Sequence, residues 1–117
     1  MTPDEGKETY QRMLEEIGEK VLIRRYFGTG NNRSKFEVEV RARIVGYIAS
    51  ELVGTIIQGD QKAILLQEDL LIFQFPLPLM KNDKIVVKGK ERNIESADGD
   101  SRKIGGELIA WELQIRG

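Results

Sequence analysis

Lys35 to Ile44 alternates without a break. Phe36, Val38, Val40, Ala42 and Ile44 share one parity, and Lys35, Glu37, Glu39, Arg41 and Arg43 share the other. Only an extended chain returns every second side chain to the same face. The run therefore predicts a strand buried on one side and solvated on the other, as antiparallel sheets require. Such a strand cannot stand alone, because its apolar face needs further strands to cover it. Its outward face carries both signs of charge in series, suited to cross-strand pairing or to contacts between subunits.

Other segments supply the remaining elements. Val21, Ile23 and Arg25 share one parity and Leu22, Arg24 and Tyr26 the other, whereas Gly28–Ser34 has no apolar residue to bury and reads as a loop. Gln61–Gln67 reads as a short strand around Ala63–Leu66, and 68–73 fits either a helical turn or a buried extended run. Pro76 and Pro78 exclude a central strand at that point. Lys84–Lys88 and Glu91–Ala97, with Ile94 inside, form the next pair, joined by Gly89-Lys90 as a type II′ hairpin loop. Asp98-Gly99 marks another hairpin, and the last strand sets Ile109, Trp111, Leu113 and Ile115 on the core side. Trp111 is read there as a core anchor.

Ahead of the strands, Thr2-Pro3-Asp4-Glu5 spells a capping box with Pro at the first helical position. Tyr10, Met13, Leu14 and Ile17 then fall on one helical face, and Gly18 is placed to end the helix in a left-handed conformation. A helix of about fifteen residues is marginal by itself. Its stripe must rest on its own barrel or dock on a neighbouring subunit. The expectation is a mainly β protein, a small antiparallel β-barrel or sandwich with one N-terminal α-helix. Residues 1–18 form the helix and 19–117 the barrel domain, with no internal repeat or low-complexity linker.

Composition narrows the chemistry. The 117 residues include no His and no Cys. Zinc sites, disulfides, thiol nucleophiles, imidazole bases and a Ser-His-Asp triad are therefore beyond this chain alone. No enzymatic activity and no cofactor are expected. With 18 Lys+Arg against 19 Asp+Glu, the balance is not that of a dedicated nucleic-acid binder. The charges are nevertheless segregated. Asp4, Glu5, Glu8, Glu15, Glu16 and Glu19 dominate the first twenty residues, and Arg24, Arg25, Arg33, Lys35, Arg41 and Arg43 the next stretch. Such polarity serves self-association or anion binding. No run approaches the roughly 20 apolar residues of a membrane span, and the acidic start lacks the layout of a secretory signal. Cytosolic synthesis and no membrane partner are expected.

Local motifs add little. Gly28-Thr29-Gly30-Asn31-Asn32-Arg33 starts like a dinucleotide fingerprint but lacks the third Gly and leads into a strand, so no helix N-terminus receives a phosphate. Asp98-Gly99-Asp100-Ser101 lacks the further oxygen ligands and terminal Glu of a calcium loop. Asn32-Arg33-Ser34 matches a glycosylation sequon with nothing to indicate secretion. The six bases between Arg24 and Arg43 form the one notable charged group. An outward patch of them suits a DNA passage or acidic residues of a second copy, and the bland alternative is a solvated face balanced by Glu37 and Glu39. With Tyr26, Phe27 and Phe36 nearby, an OB-like single-strand binder is a weaker third reading.

The segments Leu52–Lys62, Ile64–Leu70, Asn82–Glu95 and Gly106–Gly117 present a Gly-Asp turn, a strand, a Gly-centred hairpin, a strand ending in a polar turn, and a closing strand. Over residues 20–117 this pattern resembles the head-tail joining, or head-closure, neck proteins of tailed bacteriophages and prophages. The resemblance implies a compact barrel in the virion neck. There it assembles with copies of itself into a ring below the portal, which retains packaged double-stranded DNA and docks the tail. Portal or adaptor and tail proteins would be its partners. Under that reading Arg24, Arg25, Asn31, Asn32, Arg33, Lys35, Arg41 and Arg43 are candidate subunit, portal or DNA contacts. The Gly28–Lys35 loop is the segment placed to reach a lumen or partner. A tail-terminator or tail-completion ring is the nearest alternative.

Overall fold

The computed structural model describes residues 1–28, 30 and 33–117. Helix α1 (Pro3–Ile17) leads into β1 (Glu19–Phe27) and the long β2 (Ser34–Gly46). A 47–60 connection precedes β3 (Gln61–Leu66), and the short helix α2 (Gln67–Ile72) follows it directly. After a 73–83 crossing come β4 (Lys84–Val87), β5 (Lys90–Asp98), a small ribbon of β6 (Lys103–Ile104) and β7 (Glu107–Leu108), and β8 (Ala110–Arg116). Six strands close into an antiparallel barrel in the order β1-β2-β3-β8-β5-β4. Barrel rather than sandwich is the outcome, because β1 pairs with β2 along one edge and β4 along the other.

The alternation of β2 is realised from Val38 to Ile44, but Phe36, expected on the buried face, is 38% exposed, because the start of β2 pairs with β1 alone. Val38, Val40 and Ala42 are buried and Ile44 packs against the core, while Phe36 meets the Phe75 ring at 5.9 Å where the strand leaves the barrel. Val21, Ile23, Ala63, Leu65, Ile85, Ile94, Leu113 and Ile115 complete the interior. Trp111 is buried as expected, its indole N–H donating to Gln67 Oε1 at 2.7 Å.

The two barrel ends differ. At the end where β1, β3 and β5 finish, α2 and the 73–83 crossing lie over the opening and bury Leu70, Phe75 and Leu79 in the main core. At the end where those strands begin, a mouth of about 610 Å³ remains, walled by Glu19, Ile44, Gln61, Val87, Lys90 and Arg92.

Helix α1 keeps its capping box, with Thr2 accepting from the Glu5 N–H and Glu5 accepting from the Thr2 N–H. It rests on its own barrel: Leu14 is buried against Leu66 and Ile109, flanked by Tyr10, Met13 and Ile104. Ile17, expected on that stripe, is 55% exposed, because the helix stops there and the chain leaves for β1. Gly18 is extended (φ −85°, ψ 168°), not left-handed. Strand β1 starts at the next residue, and a Cβ on Gly18 would lie 2.5 Å from the Leu14 carbonyl oxygen.

Two turns fall elsewhere than expected. Val87 pairs with Lys90, so the β4–β5 loop is Lys88-Gly89, with φ of 52° and 79°. Two positive φ values define a type I′ turn, whose twist matches the strands it joins, in place of the type II′ turn at Gly89-Lys90. Strand β5 runs through Asp98, whose carboxylate accepts from the N–H groups of Asp100 and Ser101. The tight turn lies further on at Gly105-Gly106, between β6 and β7. Ile109 consequently precedes β8 and packs under α1 instead of inside the barrel.

Replacing Leu14 by Ala leaves a cavity under α1 and is expected to lower the unfolding free energy by about 2–4 kcal/mol in a urea titration. Ile17→Ala, at an exposed position, should change it by less than about 0.5 kcal/mol.

Candidate functional site

The register sets Arg24 opposite Glu37, and β4 and β5 bring Glu91 to its other side. Arg24 Nε donates to Glu37 Oε2 and Nη1 to Glu91 Oε2, each at 2.6 Å, and the Tyr26 hydroxyl also donates to Glu91. Partial burial opposes the Arg24 charge, but the hydrogen bonds it donates to Glu37, Glu91 and the Tyr26 hydroxyl outweigh it and raise its pKa. Glu37 is held below the usual carboxylate range by the Arg24 hydrogen bond. Glu91 is lowered too, first by the Tyr26 hydroxyl and then by Arg24 against the opposing effect of burial. Arg33 stacks over the Tyr26 ring at 3.8 Å, and Lys35 lies 3.7 Å from Glu37.

Arg25 points along the interior parity to the covered barrel end. Its Nε and Nη2 grip both oxygens of buried Asp83 at 2.8 and 2.7 Å, and Nη2 also reaches the Pro78 carbonyl at 2.9 Å. Asp83 in turn accepts from the Met80 N–H, so this planar pair clamps the 73–83 crossing to β1. Arg41 donates to the Gly18 carbonyl at 3.1 Å and walls a groove between α1, β2 and α2. That groove also contains Lys20, Glu15, Glu39 and Asp69. Desolvation, then the neighbouring Glu68, pushes the Asp69 pKa up. Arg43 is exposed on β2 opposite Ile64, without an ion-pair partner among the described residues. Asn31 and Asn32 lie outside the described residues. The eight sequence candidates therefore do not form one free cationic patch: Arg24 and Arg25 spend their charge inside the chain.

A second polar network holds the 47–60 connection against the outer face of β8. Asp60 is 4% exposed and receives Arg116 Nε and Nη2 at 2.8 and 2.9 Å and Gln114 Nε2 at 2.9 Å. Arg116 also donates to Glu95 and to the Thr55 carbonyl. The Arg116 hydrogen bond, reinforced by Gln114 and the Ile57 N–H, keeps the Asp60 pKa well below the carboxylate range despite desolvation.

Held in this way, the connection turns apolar side chains to solvent: Ile48, Val53 and Ile57 are each more than half exposed. At the other end of the barrel Leu71, Ile72 and Phe73 are likewise more than half exposed, with Met80 close behind. Large apolar groups clustered in solvent mark interaction surfaces more often than isolated ones do. Sequence reading passed over both. Leu70 to Phe73 nevertheless carries a signal, since four consecutive apolar residues on a helix cannot all face one core. The open mouth had a signal as well: Lys90 and Arg92 share the parity of Ile94, which points inward.

No protein-family model matches the chain, and no curated protein matches it in sequence.

Two stability experiments follow from these networks. Arg25→Met strands the buried Asp83 carboxylate and is expected to cost about 3 kcal/mol or more, whereas exposed Arg43→Ala stays within about 0.5 kcal/mol. Asp60 has a folded pKa below its unfolded value, so its contribution is complete above about pH 4 and fades as pH falls through the folded pKa. Asp60→Asn should therefore be less stable than wild type by about 1.5–3 kcal/mol at neutral pH. That gap should close on acidification in urea titrations run across the acid range.

Proposed function

We propose that the protein is a structural, non-enzymatic subunit of a tailed-phage or prophage neck. In this reading it is a head-tail joining (head-closure) protein that forms a ring with copies of itself below the portal. The ring retains packaged DNA and docks the tail. Two supports carry the reading: the resemblance over residues 20–117, and the placement of the exposed apolar groups.

That placement is the decisive observation. The 47–60 surface springs from the end where β3 begins, and the α2 surface covers the end where β3 finishes. The two surfaces differ in sequence, so a contact between the α2 surface of one copy and the 47–60 surface of the next would join unlike patches. Contacts between unlike patches are heterologous, and they close into a ring when the rotation between copies closes. Isologous dimers need one self-complementary patch instead. In the neck reading Arg33, Lys35, Arg41 and Arg43 remain the cations for portal or DNA contacts, since Arg24 and Arg25 are occupied within the chain.

The test uses sedimentation velocity on the full chain at high concentration, and electron microscopy with portal rings from the same genome. Wild type is expected to self-associate or to decorate the portal as a ring. Val53→Asp and Ile72→Asp should each abolish this, and an equal mixture of the two should recover a dimer, because each variant keeps one intact patch. Absence of assembly in both settings, or assembly indifferent to both substitutions, contradicts the proposal. Salt-sensitive binding of a labelled oligonucleotide, lost on Arg33→Ala or Arg41→Ala, would favour the nucleic-acid-binding alternative.

A further inference from the structure

The two ends of the barrel solve the same electrostatic problem differently. Each places an arginine on the interior parity: Arg25 at the covered end and Arg92 at the open end, two residues from buried Ile94 on β5. Arg25 has a carboxylate from its own chain, Asp83, gripped through two nitrogens, and a carbonyl besides. Among the described residues, Arg92 has one acceptor, the neutral side-chain oxygen of Gln61. Its Nε is buried with no partner at all. A guanidinium so poorly satisfied is costly to leave at a partly desolvated position.

Its surroundings are cationic. Lys88 and Lys90 line the same mouth, and Glu19 is the one acidic side chain among the lining residues. The type I′ turn fixes this arrangement, holding Lys88 at a positive φ beside Gly89 and so setting both lysines at the rim. Ile44 and Val87 give the opening apolar walls. A concave space of about 610 Å³ with apolar walls and a short row of cations admits a side chain or two of an extended peptide. It does not suit a duplex, whose phosphates lie on a convex surface.

We propose that the open end of the barrel is a docking mouth for a carboxylate-bearing peptide segment of a partner protein. Arg92 meets the carboxylate through Nη2, which has no partner among the described residues and, unlike Nε, is open to solvent. Lys90 and Lys88 supply the surrounding charge, and Ile44 and Val87 pack the flanking apolar residue. Glu19 tempers the affinity by like-charge repulsion. This goes beyond the neck assignment and needs no ring, since every residue of the mouth comes from one copy.

The experiment follows the arginine Nε–H resonances of the ¹⁵N-labelled full chain during titration with the peptide acetyl-LDEL-amide. Inorganic phosphate and a short oligothymidylate are titrated in parallel. The expected result is a saturable shift of the Arg92 resonance with the peptide. Affinity should weaken about tenfold or more in Arg92→Lys, which keeps the charge but loses the planar fork, and fall in Lys90→Met. Glu19→Gln should bind more tightly. No Arg92 shift at millimolar peptide, or equal affinity in wild type and Lys90→Met, overturns the proposal. Tighter binding of phosphate or oligothymidylate than of peptide overturns it too, by assigning the mouth to phosphate. If Arg92→Lys fails to fold, the wild-type Arg92 shift together with Lys90→Met and Glu19→Gln still decides the matter.

Discussion

Closure of the sheet through β1 is the constraint on which the rest of the structure depends. Its backbone bonds to β2 along nine residue pairs and to β4 along four, so Val21 and Ile23 lie between two neighbours and are almost wholly enclosed. Once β1 is held on both edges, the inward parity of every other strand is set, because one residue of slip would turn each interior side chain to solvent. Closure also gives each of the six strands a partner on both edges, although Ser34–Arg41 of β2 bonds to β1 alone. Most of the exposed apolar groups lie on loops and helices, with Phe27 and Phe36 on β1 and β2 themselves.

Closure explains why the charges of β1 and β2 serve the fold. Placing β4 and β5 beside β1 brings Glu91 to Arg24 across 67 residues of sequence, and the crossing over the barrel end brings Asp83 to Arg25 across 58. Both cations gain acceptors that a local reading cannot supply. Glu19 lines the opposite mouth, but among the described residues Arg92 bonds to the neutral Gln61 and to no carboxylate side chain. One barrel thus has a satisfied end and an unsatisfied one.

How much was legible depended on the range of the governing contact. The α1 cap depends on Thr2 and Glu5, three residues apart, and the β2 strand on parity alone; both could be read directly. Turn positions were harder. Lys88 occupies a left-handed conformation that lysine does not advertise, and Gly89 beside it drew the expected loop one residue too far along. Ile109 has the parity of a barrel residue, but its N–H bonds to the Arg102 carbonyl and its own carbonyl accepts from Gln67, which holds it ahead of β8 under the helix. The 47–60 surface was hidden for another reason: the Arg116 and Gln114 contacts to Asp60 that pin it span more than fifty residues.

Hydroxyl-radical footprinting of the chain, free and self-assembled without portal or DNA, tests most directly the proposal that copies of this barrel meet through the 47–60 and α2 surfaces and not through the β1–β2 face. Oxidation of Ile48, Val53, Leu71, Phe73 and Met80 should fall sharply on assembly, while exposed β2 positions such as Arg43 stay as reactive as in the free chain. Protection confined to the β1–β2 face, with both apolar surfaces still open to the radical, would contradict the account.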